Sequence, residues 1–278
     1  MTALEFSAIV LAISSLAGCL GALTGLGGGV VVVPALTLAL GVDMKYAIGA
    51  SLVSVIATSS GAAAAYVREG FSNIRIGMFL EIATTLGAIL GALLASRVST
   101  HALAVIFGLI MLQAAYMSFK GMPHDLQPVA PDALAARLRL GGAYPVAGSM
   151  EEYGARHVPA GFSLMFGAGA LSGLLGIGSG AVKVIAMDRI MRIPFKVSTT
   201  TSNFMIGVTA AASAGVYLKH GYINPQVAMP VMLGVLAGAL VGARLLVRLR
   251  VKTLRAVFGV VIMALAIEMI VNGIAGRI

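Results

Sequence analysis

The chain has 278 residues, 59% of them hydrophobic and 10% charged, with 35 glycines and no tryptophan. Ordinary soluble domains carry about 25% charged residues, so a chain this poor in polar groups is excluded as a soluble globular protein. The formal net charge of +9 then reads as loop charge that orients a membrane protein, and nucleic-acid binding is set aside.

In chain order, the first apolar segment is 4–24. It contains the only cysteine, Cys19, so no internal disulfide can form. The stretch SSLAGC resembles a lipoprotein cleavage box, but the preceding MTALEF has no basic residue and the residues after Cys19 stay apolar. A glycine run, GLGGG at 25–29, separates this segment from a second one at 30–41, and three longer ones follow at 46–67, 76–96 and 101–119. The third opens with YAIGASLVS, which offers Ser51 and Ser54 as polar groups. The fourth carries Glu81 and the pair Gly87-xxx-Gly91, which has the spacing of close helix packing. Glu81, and Glu268 in the last segment, would carry a proton if burial raised the pKa; their places near a helix end favour a solvated residue instead.

Residues 120–158 are polar, proline-bearing and rich in charge. They predict an extramembrane linker with a short amphipathic helix at 132–140. The second set of segments is 160–177, 181–191, 197–218, 225–247 and 253–274. A glycine run, GIGSG at 176–180, separates its first two members. Lys183 follows, and after it comes the polar cluster VSTTTSN with Thr201, Ser202 and Asn203.

Shifted by 151 residues, the chain matches itself without a gap: GLGGG falls on GIGSG, Tyr66 on Tyr217, Asn73 on Asn224, and Phe107-Gly108 on Phe258-Gly259. The fold class expected is an all-α polytopic membrane protein made of two repeats of about five apolar segments. Three units follow: a first transmembrane repeat at 1–119, a linker at 120–158 and a second repeat at 159–278. The second segment of each repeat is too short to cross a hydrocarbon core of about 30 Å alone. Each is therefore expected to form a broken or re-entrant helical hairpin around its glycine run.

If each segment changes sides, fourteen of the nineteen Lys and Arg fall on one side. Lys45, Arg97, Lys219 and Arg277 fall on the other, and Lys183 completes the count. By this asymmetry the linker is cytosolic and both termini are outside. The repeats then run through the membrane in opposite senses, as in many secondary transporters.

In such transporters, matched glycine-broken segments mark the substrate site, where helix N-termini favour anions. The candidate site residues are therefore Gly27, Gly28 and Gly29 in the first run and Gly178, Ser179 and Gly180 in the second. Ser51, Thr201, Ser202 and Asn203 supply hydrogen bonds and Lys183 supplies charge. The repeat mate of Lys183 is Val32, so the charge breaks the symmetry. Contact with an anion explains it; so would a lysine that snorkels to an interface or pairs with Asp188. Helix capping is the competing account of the hydroxyls near 198. The spacing fits neither a P-loop nor a dinucleotide fingerprint, and His101, His124, His157 and His220 have no metal-ligand spacing. No metal, cofactor or enzymatic centre is expected.

The stretches GALTGLGGGVVVVPAL and AIGASLVSV, with GLLGIGSGAVKV and STTTSNFMIGVTAA, resemble the TauE/SafE sulfite exporter family over nearly the whole chain apart from the linker. The resemblance implies a transporter of the bacterial or archaeal inner membrane that exports small sulfur-containing anions, such as sulfite, sulfoacetate or another organosulfonate. It leaves the particular anion and the oligomeric state open. The alternatives are a passive anion channel of the same fold and a non-transporting scaffold that acts through 120–158.

Overall fold

The computed structural model describes residues 2–24, 28–68, 71–120, 131–146, 149–246 and 251–278. Helix α1 (Ala3–Thr24) precedes a short α2 (Gly29–Pro34), which runs into a π turn at Ala35–Ala39. Three long helices follow: α3 (Met44–Arg68), α4 (Ile74–Arg97) and α5 (Thr100–Lys120). After the linker the pattern recurs. Helix α7 (Val158–Leu175) precedes a short α8 (Gly180–Ile185) and a π turn at Ala186–Ile190. Then come α9 (Phe195–Lys219), α10 (Pro225–Leu246) and α11 (Val251–Ile274).

The offset of the sequence match reappears in three dimensions. It carries α2 onto α8, one π turn onto the other, and α3 onto α9, residue for residue. The packing is exchanged in the same way. α1 lies against α10 and its mate α7 against α4; α10 also meets α3, and α4 meets α9. The equivalent pairs α5 and α11, and α3 and α9, pack on each other. The short second helices expected from sequence are present. At the second break Gly176 and Gly178 have positive φ and let the chain turn, and each short helix runs into a wide turn, with Met191 N–H reaching Ala186 O in the second.

Small residues bring the long helices together. A Cβ at Gly87 or Gly91 would strike the carbonyls of Phe166 and Ala170, and one at Gly169 or Gly173 would strike those of Thr84 and Ala88. α10 repeats this against α1, where Gly234 and Gly238 leave room for the carbonyls of Leu11 and Ser15. The large side chains Met78, Ile82, Leu86 and Leu90 of α4 point outward instead. Small residues inside and large apolar ones outside suit helices surrounded by lipid. Among the described residues, four helices are long and apolar enough to cross a membrane: Leu4–Gly21, Ile74–Arg97, Val158–Leu175 and Pro225–Gly242.

The linker departs from the all-α expectation. It holds the short helix α6 (Ala133–Arg137), as read from sequence, and also two antiparallel strands, β1 (Gly142–Val146) and β2 (Ser149–Tyr153). Tyr153 is mostly buried, and Leu140 and Ala155 are buried with it against Ile76 and Leu80 of α4 and Met191 and Ile193 beyond the second π turn. The Tyr153 hydroxyl takes a hydrogen bond from Asn73 Nδ2 at 2.8 Å. Tertiary packing on the helix ends is what makes a stable hairpin of so short a polar segment.

Candidate functional site

The two glycine runs meet between α3 and α9. Ser51 Oγ on α3 donates to Gly176 O at 2.9 Å, and a Cβ at Gly29 would lie 2.7 Å from that hydroxyl and 3.0 Å from Gly176 O. Gly28 O accepts the N–H groups of Val31 and Val32 where α2 begins. Gly27 lies outside the described residues. In the second run, Gly178 has φ +71° and would press any side chain against Ile206 of α9. Ser179 has φ +46°, a left-handed conformation that costs a non-glycine residue about 1–3 kcal/mol. Its mate Gly28 has φ −65°, so serine occupies the strained position and glycine the ordinary one. Ser179 is buried, and among the described residues its hydroxyl has no hydrogen-bond partner. Gly180 begins α8, and its carbonyl accepts Ser202 Oγ at 3.2 Å.

Lys183 lies one turn into α8 and is 0% exposed. Full burial removes the snorkelling account. Its Nζ donates to Thr209 Oγ1 of α9 at 2.5 Å, and Thr209 in turn donates to Glu81 Oε1 of α4 at 2.6 Å. Lys183 Nζ and Glu81 Oε2 stand 4.0 Å apart. Lys183 therefore pairs with Glu81, while Asp188 sits apart in the π turn. This corrects the reading of Glu81 as a solvated residue near a helix end. It is 7% exposed, two turns into α4, on the small-residue face that includes Gly77, Thr84 and Gly91. That stripe, Gly77-Glu81-Thr84-Ala88-Gly91, is a sequence signal that could have found it. Thr209 was missed too. It lies two turns from Ser202 on the same face of α9.

The cluster is incompletely satisfied. An ammonium has three N–H donors, and among the described residues Thr209 accepts only one of them. Glu81 Oε2 accepts none. A buried ion pair of this kind is costly to maintain unless further hydrogen bonds complete it.

Thr201 and Asn203 do not join the cluster. Thr201 Oγ1 is buried and accepts Asn73 N–H at 3.0 Å, so it fastens the α3–α4 loop to α9. Asn203 is half-buried on α9. The loops at the two ends of this helix pair are built alike. Lys196 Nζ lies 5.9 Å from the centre of the Phe71 ring, and Lys45 Nζ lies 5.5 Å from that of Tyr222. Lys45 and Lys196 are repeat mates, and so are Phe71 and Tyr222. Among the described residues no cluster of His, Cys, Asp and Glu could hold a metal ion.

The family description "Sulfite exporter TauE/SafE" matches residues 10–269. A "Probable membrane transporter protein YunE" of Bacillus subtilis (strain 168) is 26% identical over 274 residues, which cover 96% of this chain and 98% of that protein. A "Probable membrane transporter protein" of Xylella fastidiosa (strain Temecula1 / ATCC 700964) is 26% identical over 251 residues, 89% of this chain and 88% of that protein. No solved structure matches.

Proposed function

The chain belongs to the TauE/SafE sulfite exporter family and is a membrane transporter, and from that premise we propose that it exports a small sulfur-containing anion through a site at Lys183. One observation carries this reading. A fully buried ammonium with unspent N–H donors lies beside the break between the second-repeat helices. A charge at such depth is expensive and is normally functional. Sulfite and sulfonates offer compact negative oxygens that such donors fit. The unpartnered Ser179 hydroxyl and the amides of the glycine runs at 27–29 and 178–180 would complete the cradle. Ser51 and Ser202 hold the runs in place.

In this reading the two repeats have opposite orientation in the membrane, with the linker cytosolic. The Lys196–Phe71 end then faces the cytosol and the Lys45–Tyr222 end faces outside, and each closes one approach to the site in turn. Export needs no nucleotide, because an interior-negative potential drives each uncompensated negative charge outward by about 2.3 kcal/mol per 100 mV.

The test is thermal stability of the purified protein with sulfite, sulfate, taurine, sulfoacetate, acetate and chloride, repeated on Lys183→Ala. A saturable shift with one sulfur anion, lost in the variant, supports the site. A shift that survives in Lys183→Ala moves the charge role elsewhere, and no shift with any anion overturns the substrate class. Counterflow in proteoliposomes separates a carrier from a passive channel.

A further inference from the structure

Glu81 holds the place that the transported anion would take. Its carboxylate is the negative group beside Lys183, with Oε2 4.0 Å from Nζ and Oε1 reached through Thr209. Resting on the reading of Lys183 as the anion ligand, we propose that Glu81 is the protein's built-in substitute for the substrate. A bound anion displaces it from Lys183, and Glu81 then takes up one proton.

Three features of the cluster support this. First, the pair is loose. A committed structural ion pair would sit at hydrogen-bond distance with both oxygens engaged, whereas here Oε2 has no hydrogen-bond partner among the described residues, and Oε1 takes hydroxyls from Thr209 and Thr85, of which only Thr209 links it to Lys183. Second, Thr209 has another acceptor in reach, Met205 O at 2.9 Å. Its one proton can turn to that carbonyl when Glu81 leaves, so Thr209 is not stranded, and Thr85, the other hydroxyl donor to Oε1, is only part-buried. Third, among the described residues nothing else near Glu81 can neutralise it. α7, packed on α4, has no titratable side chain along 158–175. α9 carries Lys196 and Lys219 at its ends, and its Tyr217 donates to Leu174 O. The second π turn adds Asp188 and Arg189. Among the described residues only Lys183 comes within ion-pair distance of Glu81. A buried carboxylate whose one cation has been claimed by another anion neutralises rather than stay charged.

The consequence is coupling: anion and proton occupy the site together and cross together. A monoanion carried with one proton moves no net charge. A dianion still moves one negative charge outward and keeps the drive of the membrane potential.

The experiment is calorimetric titration of the purified full chain with sulfoacetate, and in parallel with sulfate, at pH 7.5 in two buffers of different ionisation enthalpy. The acids of sulfoacetate are ionised well above about pH 5, so the ligand itself takes up no proton. The expected result for the wild type is uptake of one proton per anion bound, with affinity rising about tenfold for each unit of falling pH while Glu81 is ionised. Glu81→Gln is expected to bind the anion at least as tightly, with no uptake and a flat pH profile. Wild-type binding with zero protons overturns this inference and leaves the transporter reading intact. Uptake that persists in Glu81→Gln overturns it as well, by placing the proton on another group. Failure of both anions to bind the wild type overturns the Lys183 site and this inference with it. The wild-type proton count does not depend on the variant folding.

Discussion

Lys183→Met isolates the energetics of the buried cluster. The substitution keeps an unbranched side chain, one atom shorter, and removes its charge. Glu81 then stays 7% exposed with no cation, Oε2 still lacks a partner among the described residues, and Oε1 keeps only the hydroxyls of Thr209 and Thr85. Breaking a buried pair from one side costs about 3–5 kcal/mol. At roughly 2–4 °C of Tm per kcal/mol for a chain of this size, a drop of about 10 °C is expected. Replacing both partners removes the unpaired buried carboxyl, whether it is left charged or must be protonated. In Lys183→Met/Glu81→Met, Thr209 still donates to Met205 O, and the double variant is expected within about 1 kcal/mol of wild type or above it. The assay is a thermal melt of the three variants and wild type in one detergent at pH 7.5. A double variant melting no higher than Lys183→Met would refute the argument, because the two charges would then be independent.

Other outcomes follow from the same geometry. Gly91→Leu should separate α4 from α7, because its Cβ alone would strike Ala170 O; overpacking of at least about 1–3 kcal/mol should appear as a lowered melting temperature and poor monodispersity. Ser179→Gly relieves the strain of φ +46° but removes the free hydroxyl, so melting should hold or rise while anion affinity falls. In a Cys19→Ser, Ser51→Cys background, Tyr222→Ala should speed labelling by an impermeant maleimide from outside, and Phe71→Ala labelling from the cytosolic face; equal rates in both would contradict the two-ended closure. Asp132 caps α6 by accepting Ala135 N–H at 2.8 Å and also accepts His157 N–H at 2.8 Å. The Ala135 bond leads in holding its carboxyl below the usual range, with His157 adding to it. A lowered value in the folded state means the contribution is full above the ordinary value near 3.8 and is lost as pH falls through the lowered one. Asp132→Ala should loosen the cap by about 1 kcal/mol, read as faster hydrogen exchange over 131–140, with the difference from wild type shrinking in acid.

Much of the architecture is written in the sequence because it is local or repeated. Helix-length apolar runs, the glycine interruptions and the 151-residue self-match follow from residue type and spacing. They anticipate the matched α2 and α8, the matched α3 and α9, and close helix packing at Gly87 and Gly91, though not that α7 is the partner. A lysine unmatched by its repeat mate is equally visible, since its exception lies in the pattern itself. The partners of that lysine were settled by tertiary structure. Glu81 belongs to the first repeat and Lys183 to the second, and they meet only because small residues let α4 close on α7 and α9. Helical periodicity gives the face on which Glu81 lies but not which helix covers that face or how deep it is buried. The same limit applies to Thr201, whose position in a polar run resembles that of Ser202 although it fastens the α3–α4 loop. It also applies to the linker, where α6 is signalled by its own cap while β1 and β2 form on a surface supplied by α4 and the second π turn. A side chain's role in a membrane protein depends on what removes it from lipid and water, and that is a property of the packed helices together.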